Sequence, residues 1–427
     1  MDNFATPARF HATREATAAA PPALLPAPSQ LPTAADVLAQ LEATLRRQLP
    51  PPDAALQACV IIPAKDEAAT LPATLAALAA QTTLAGERLP AGMLEVIVLA
   101  NNCRDRTAAA VRQAARRHPG LVLHVAELKL PAEHAHVGRA RRLLLDEAAS
   151  RLDTTIGPTG VLISTDADTL AASTWVAANL REIEQGAEAV GGRILTQTLP
   201  AAEPCPVRRT QVYDAAYRVL LRQLEDRLDP CAADRWPCHH QHYGASLALT
   251  VRAYRQAGGI PAVPFLEDEA LWRLLCALGL PVRHSPHAQV YTSARRCGRV
   301  EVGLSWQLRE WENLTASRQE LHVPDPHELV RVWRARRRLR AWHQQGARAV
   351  GPELARLALF VEVSVSELLK QGRAATTFGQ LWQWVEETRG AVLPVPLSGA
   401  LRDLRRYLRE GVPSEEHPQR RTLRYAR

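Results

Sequence analysis

The run Gly160-Val161-Leu162-Ile163-Ser164-Thr165 stops abruptly at Asp166 and Asp168, and no other stretch constrains the fold as much. A short apolar run rich in branched residues, following Gly157-Pro158-Thr159, predicts a strand buried on both faces. Side chains alternate along a strand, so the two aspartates are expected on one side, just past its carboxyl end. Ligands of open α/β sheets bind at that edge, and two carboxylates there suit a hard divalent cation bridging to phosphate oxygens. A metal and nucleotide-diphosphate site is the first expectation.

Three earlier units repeat the pattern. Ala58 to Ile62 predicts a strand ending at Pro63-Ala64-Lys65-Asp66-Glu67, followed by a helix that Thr70 caps and that carries Leu71, Leu75 and Leu78 on one face. Leu94 to Leu99 predicts a second strand ending in Asn101-Asn102-Cys103-Arg104-Asp105, with a helix over Thr107 to Arg117. Leu121 to Ala126 is the third strand, with a helix through Arg139 to Ser150 before the aspartate strand. Such alternation implies a mostly parallel sheet with helices on both faces, its polar strand exits along one edge. No G-x-G-x-x-G follows the first strand and no P-loop sequence occurs, so phosphate must be held by metal and side chains.

Downstream, helices are predicted over 175–185 and 210–228, and a strand over 189–196. Gly244-Ala245-Ser246 leads a further strand, Gly258-Gly259 a turn, and Glu267-Asp268-Glu269 opens the apolar helix 270–278. Residues 1–53 are rich in Ala and Pro and read as a flexible lead-in; residues 54–312 read as the α/β domain and 313–427 as a helical, Arg-rich region. No 18-residue apolar span and no signal-like leader occur, so a cytoplasmic protein is expected. Seven scattered cysteines fit reduced thiols better than a disulfide framework. The net charge of +8 permits an anionic partner. The basic stretch Arg331 to Arg340 could dock on the core or on the inner membrane face; nucleic acid is not expected, because no recognised binding module accompanies it.

These pieces in this order resemble a family 2 glycosyltransferase of the GT-A (Rossmann-like) fold, soluble and non-processive, over Ala58 to Trp311. The resemblance rests on Pro63-Ala64-Lys65-Asp66-Glu67, on Ala100 to Thr107, on Asp166-Ala167-Asp168, on Gly244-Ala245-Ser246, on Gly258-Gly259 and on Glu267-Asp268. Asn101 stands where relatives place the aspartate that reads uracil, and an amide both donates and accepts where a carboxylate only accepts. Ser246 stands where Asn is usual.

The resemblance implies an inverting, metal-dependent transfer of one sugar from a nucleotide-diphosphate sugar to an acceptor hydroxyl on a glycan, lipid or small molecule. Asp168, with Asp166 beside it, would hold Mg²⁺ or Mn²⁺ against the diphosphate, and Asp166 would also face the nucleotide. Asp268 is the expected base, its proton affinity raised by a neighbouring carboxylate, with Glu267 positioning the acceptor. Pro63, Ala64, Glu67 and Asn101 would meet the nucleoside, and Arg139 and Arg141 the base and phosphates, with Arg142 competing for that role. His242 is expected to line the sugar pocket. Arg295 and Arg299 lie in a basic loop that could close over diphosphate, with His287 as a further metal ligand. The competing readings are a noncatalytic nucleotide-sugar-binding or scaffold protein that kept the fold, and a nucleotidyltransferase, which would need a Gly-rich basic loop after the first strand. A zinc site among Cys231, Cys238 and the histidines near them is the weaker reading of that segment.

Overall fold

The computed structural model describes residues 33–197, 206–293, 295 and 303–413. Two compact units divide after Gln40. The first comprises residues 1–40, of which only the start of helix α1 (Ala34–Arg47) is described. The second, residues 41–427, holds everything that follows.

Its sheet contains β1 (Ala58–Ala64), β2 (Leu94–Asn101), β3 (Val122–Leu128), β4 (Val161–Ser164), β5 (Thr169–Ala171), β6 (Ala189–Thr196), β7 (Leu247–Thr250) and β8 (Val282–Thr292). The order is β3-β2-β1-β4-β7-β6-β8-β5. The first four are mutually parallel; β7 runs antiparallel to β4 and β6, β6 and β8 are parallel, and β5 is antiparallel to β8. Helices α2 (Leu71–Ala79), α3 (Thr107–Arg117), α4 (Val137–Asp153), α5 (Trp175–Glu184), α6 (Pro206–Leu228), α7 (Val251–Gln256) and α8 (Glu267–Ala277) intervene. The doubly covered α/β sheet read from the sequence is thus present.

Period-two alternation explains why both faces are covered. Cys59 and Ile61 of β1, Ile97 and Leu99 of β2 and Leu162 of β4 point into one core, against Leu143, Leu144, Leu145, Ala148 and Leu152 of α4. Val60 and Ile62, Val96 and Val98, and Val161 and Ile163 point into the other, where α2, α3 and α5 supply Leu71, Leu75, Val111 and Trp175. At about 1.5–3 kcal/mol for each fully buried apolar side chain, these strands are pinned in register. A charged side chain also stands within the pattern. Glu95 of β2 is buried but accepts two bonds from Arg151 at 2.8 and 2.7 Å. Burial opposes its charge, yet Arg151 and His124 outweigh that and hold its carboxyl down at about 2.

Beyond the sheet come α9 (Leu304–Ala316), α10 (Pro326–Gln344), α11 (Pro352–Val361), α12 (Val365–Ala374), α13 (Phe378–Arg389) and α14 (Leu397–Glu410), with a small antiparallel pair, β9 (His322–Pro324) and β10 (Pro394–Pro396). The Arg-rich stretch is an element of packing: Trp333, Ala335, Leu339 and Trp342 are buried, and Arg336 and Arg340 both bind Asp229 of the α6 exit. Not all of these arginines are therefore free for an outside surface. Among the described residues no helix is long and apolar enough to cross a membrane.

Candidate active site

The carboxyl ends of β1, β2 and β4 open on one edge, as their parallel pairing requires. Two turns there are forced by left-handed residues: Asp66 after β1 at φ 54° and Asn102 after β2 at φ 52°, both types that tolerate it. Asp66 Oδ1 accepts the Arg104 N–H at 2.6 Å, and Asn102 bridges the Leu130 backbone N–H and C=O at 3.1 and 2.9 Å. Asp105 accepts the Ala68 and Thr107 backbone N–H groups. Asp66, Cys103 and Asp105 bring potential metal-ligand atoms within 4.8 Å of one another, and both carboxylates also accept backbone N–H groups.

Asn101, at the end of β2, is 5% exposed, and its side-chain amide has no hydrogen-bond partner among the described residues. Pro63 and Ala64 lie alongside, paired with Leu99 and Ala100.

Arg141 of α4 is the hub. Its side chain is 4% exposed, and it donates to Glu267 Oε1 at 2.9 Å, to Asp166 Oδ1 at 3.1 Å, to the Gly244 carbonyl at 3.1 Å and to Ser164 Oγ. One guanidinium therefore joins the end of β4, the approach to β7 and the first turn of α8. Burial works against its charge, but Glu267, Asp166 and Asp268 more than compensate and raise its pKa. At Glu267 burial wins: its pKa is raised, with Asp268 adding to the effect and Arg141 opposing it. Gly244 is required here, because a Cβ on it would sit 2.5 Å from Arg141 Cζ. Asp268 accepts the Gly244 N–H at 2.7 Å and the Glu269 N–H at 2.8 Å, leaving about two of its four lone-pair sites open. Leu266, just before this triplet, has φ 59° with an exposed side chain, a conformation that bulky residues rarely hold away from functional turns.

The two aspartates of the strand exit do not share one environment. After Ser164 the chain leaves strand geometry, so alternation no longer governs it. Asp166 is 39% exposed and faces Arg141; Asp168 is 11% exposed and lies 3.2 Å from Arg295. Burial and the Asp166 charge raise the Asp168 pKa, against the pull of Arg295. Arg295 also makes a two-pronged bond to Glu67, at 2.8 and 3.2 Å, and Thr70 donates to Glu67 at 2.5 Å. Glu67 therefore meets Arg295 and Thr70, not an open nucleoside face.

Arg139 and His287 make no side-chain bond to these groups among the described residues. At Arg139 burial, and after it the charge of Arg142, lowers the pKa. Arg142 itself clamps the Gly258 and Ile260 carbonyls at 2.8 and 3.0 Å. His287 lies in the irregular part of β8 between Ser285 and Gln289, whereas Thr292 of β8 is the residue that pairs with Thr169, next to Asp168. Arg299 lies outside the described residues. His242 is buried and uses both ring nitrogens internally, so it offers none to a ligand.

The role of His242 was not visible in the sequence. Its Nε2 is 2.8 Å from Glu269 Oε2, its Nδ1 3.3 Å from His284 Nε2, and His284 Nδ1 is 2.7 Å from Asp234 Oδ2; Trp272 stacks on it at 4.5 Å. Tautomer logic fixes the protons. With Asp234 ionised, His284 donates from Nδ1 and accepts at Nε2, so His242 donates from Nδ1, and the contact with Glu269 must hold one more proton. The bond from His242, with Arg273, lowers the Glu269 pKa. The chain ties the first turn of α8 to the body of the sheet. A cluster of histidines near acidic residues hinted at it; the partners lie too far apart in sequence to be assigned.

Residues 59–223 match the sequence model described as glycosyl transferase family 2. No curated protein sequence matches the chain. Similar solved structures include a mannosyltransferase from Pyrobaculum calidifontis in complex with GDP-Man and Mn²⁺, at 19% identity over 83% of this chain and 94% of that chain, TM-score 0.41. S. aureus TarS 1–349 in complex with UDP-GlcNAc is 15% identical over 78% and 91%, TM-score 0.39. The M. tuberculosis glucosyl-3-phosphoglycerate synthase is 16% identical over 67% and 88%, TM-score 0.34. By that match, residues 59–223 carry the sequence pattern of a family 2 glycosyl transferase.

Proposed function

We propose that the chain is an inverting, divalent-metal-dependent glycosyltransferase that moves one sugar from a nucleoside-diphosphate sugar to an acceptor hydroxyl. The observation that carries this is Arg141: a single buried guanidinium bonded both to Asp166 of the strand exit and to Glu267 of the acidic turn. It sets Asp166 and, through Gly244, the candidate base Asp268 on one frame.

Asp168 and Asp166 fit a metal. Both offer hard carboxylate oxygens, and Arg295 already places a positive charge 3.2 Å from Asp168 Oδ2. A bound Mg²⁺ or Mn²⁺ would neutralise charge on the leaving diphosphate. The chain's own groups do the rest. Asp268, fixed by two backbone N–H groups, takes the acceptor proton as the hydroxyl oxygen attacks the anomeric carbon; the bond to diphosphate breaks on the opposite face, which inverts configuration. Arg295 adds positive charge beside Asp168, and the unpartnered Asn101 amide meets the nucleoside base. A cytoplasmic enzyme, with the basic C-terminal helices reaching the inner membrane face, belongs to the same reading.

The test is release of nucleoside diphosphate from UDP-, GDP- and dTDP-sugars with Mn²⁺, in wild type, Asp168→Ala and Asp268→Asn. Both variants should lose at least about a hundredfold in turnover. Full activity in both would sink the assignment.

A further inference from the structure

Each aspartate of the β4 exit already has a guanidinium. Arg141 serves Asp166 at 3.1 Å, and Arg295 serves Asp168 at 3.2 Å. The two cations are held differently. The Arg141 side chain is 4% exposed and is also fixed by Glu267, Ser164 and the Gly244 carbonyl, so it is part of the frame and cannot leave without unmaking it. The Arg295 side chain is 33% exposed, and among the described residues its guanidinium meets Glu67 and Asp168 alone. Arg295 is therefore the cation that can exchange.

Its position matters to the candidate metal site. A single nitrogen, Nη2, lies 2.8 Å from Glu67 Oε1 and 3.2 Å from Asp168 Oδ2, so it bridges two carboxylates whose side chains are 6% and 11% exposed. Buried carboxylates need a countercharge, and among the described residues no other cation pairs with Asp168. A divalent ion that reaches Asp168 meets that guanidinium at the same carboxylate. Like charges so close repel strongly where water is scarce. The ion alone must therefore displace Arg295 from Asp168, against the two-pronged bond by which Glu67 holds it. A diphosphate changes the balance. Its oxygens accept the paired N–H groups of a guanidinium and coordinate a hard cation at the same time, so both cations are neutralised together.

We propose that Arg295 is an internal competitor of the metal: it keeps the affinity for a bare divalent ion low and makes tight metal binding depend on a nucleoside diphosphate. The inference rests on the metal-dependent reading above. Its test uses the full chain with Mn²⁺ alone and with Mn²⁺ plus UDP, GDP or dTDP. The free-ion signal in electron paramagnetic resonance, after subtraction of the ion held by nucleotide in solution, reads how much the protein has bound. Without nucleotide, Arg295→Ala should bind Mn²⁺ at least about tenfold more tightly than wild type. With nucleoside diphosphate the gap should close or reverse, because wild type gains the contact of the guanidinium to phosphate. The tightening should vanish when Asp168→Ala is added to Arg295→Ala, which locates the ion. If Arg295→Ala does not fold, Arg295→Gln, neutral yet able to donate to Glu67, carries the test. Equal or weaker binding of the bare ion by the neutral variant overturns the proposal, as does a gap that nucleotide leaves unchanged or a tightening that survives in the double variant. Nucleotide-dependent Mn²⁺ binding that is indifferent to Arg295 refutes the competitor role alone. Mn²⁺ binding by none of the proteins, with or without nucleotide, refutes the metal-dependent reading and this inference with it.

Discussion

Replacing Arg141 by alanine removes the cation on which Asp166, Glu267, Ser164 and the Gly244 carbonyl converge. The Glu267 side chain is 4% exposed and pairs with no other cation among the described residues, so the variant strands a buried carboxylate. Breaking a buried pair from one side costs about 3–5 kcal/mol, a large share of the 5–15 kcal/mol typical of a folded domain. The loss should also depend on pH. Burial already lifts the Glu267 pKa above its usual 4.5, so its contribution favours the fold at low pH and is lost as pH rises above 4.5 toward the folded value. Without Arg141 that folded value rises further, and the penalty should be greater at pH 8 than at pH 5. Urea unfolding of wild type, Arg141→Ala, Glu267→Gln and the double variant at both pH values measures this. The double variant should recover about 1–3 kcal/mol of the summed single losses. A loss under about 1 kcal/mol, or one equal at both pH values, would refute the claim that Arg141 is the charge anchor.

Gly244→Ala places a methyl group 2.5 Å from Arg141 Cζ, and urea unfolding should show about 1–3 kcal/mol of destabilisation. His242→Ala leaves Glu269 and His284 without a shared partner and should cost about 1–3 kcal/mol at pH 7. Because His242 lowers the Glu269 pKa, that contribution is present above 4.5 and disappears as pH falls through the lower folded value, so wild type and variant should converge in acid. Asn101→Asp exchanges a donating amide for a carboxylate; calorimetry with UDP, GDP and dTDP should show a change in which nucleotide binds best.

The strands were legible because each one carries alternating apolar side chains into two cores, and β1, β2 and β4 sit where their runs of Val, Ile and Leu predicted. The acidic turn at 267–269 and the two aspartates were legible because each stands where an apolar run meets a strand or helix end. What failed is what depends on distant partners. Arg295 reaches Glu67 across 228 residues and changes what that carboxylate can do. The Asp234–His284–His242–Glu269 chain joins three separate segments, and no local pattern couples them. Asp166 and Asp168 were expected side by side on one strand face, but β4 ends before them and the turn sends them to different arginines. His287 was expected in a loop, but it belongs to the irregular middle of β8.

The most direct measurement is the melting temperature of wild type and Asp168→Ala with UDP-, GDP- and dTDP-sugars, each with and without Mn²⁺. A ligand that binds only the native state raises stability as ln(1 + [L]/Kd), about 2.7 kcal/mol at a hundredfold excess over Kd. The account predicts a rise for at least one nucleotide sugar that requires Mn²⁺ and is absent in Asp168→Ala. No rise with any donor, or an equal rise in the variant, would contradict it.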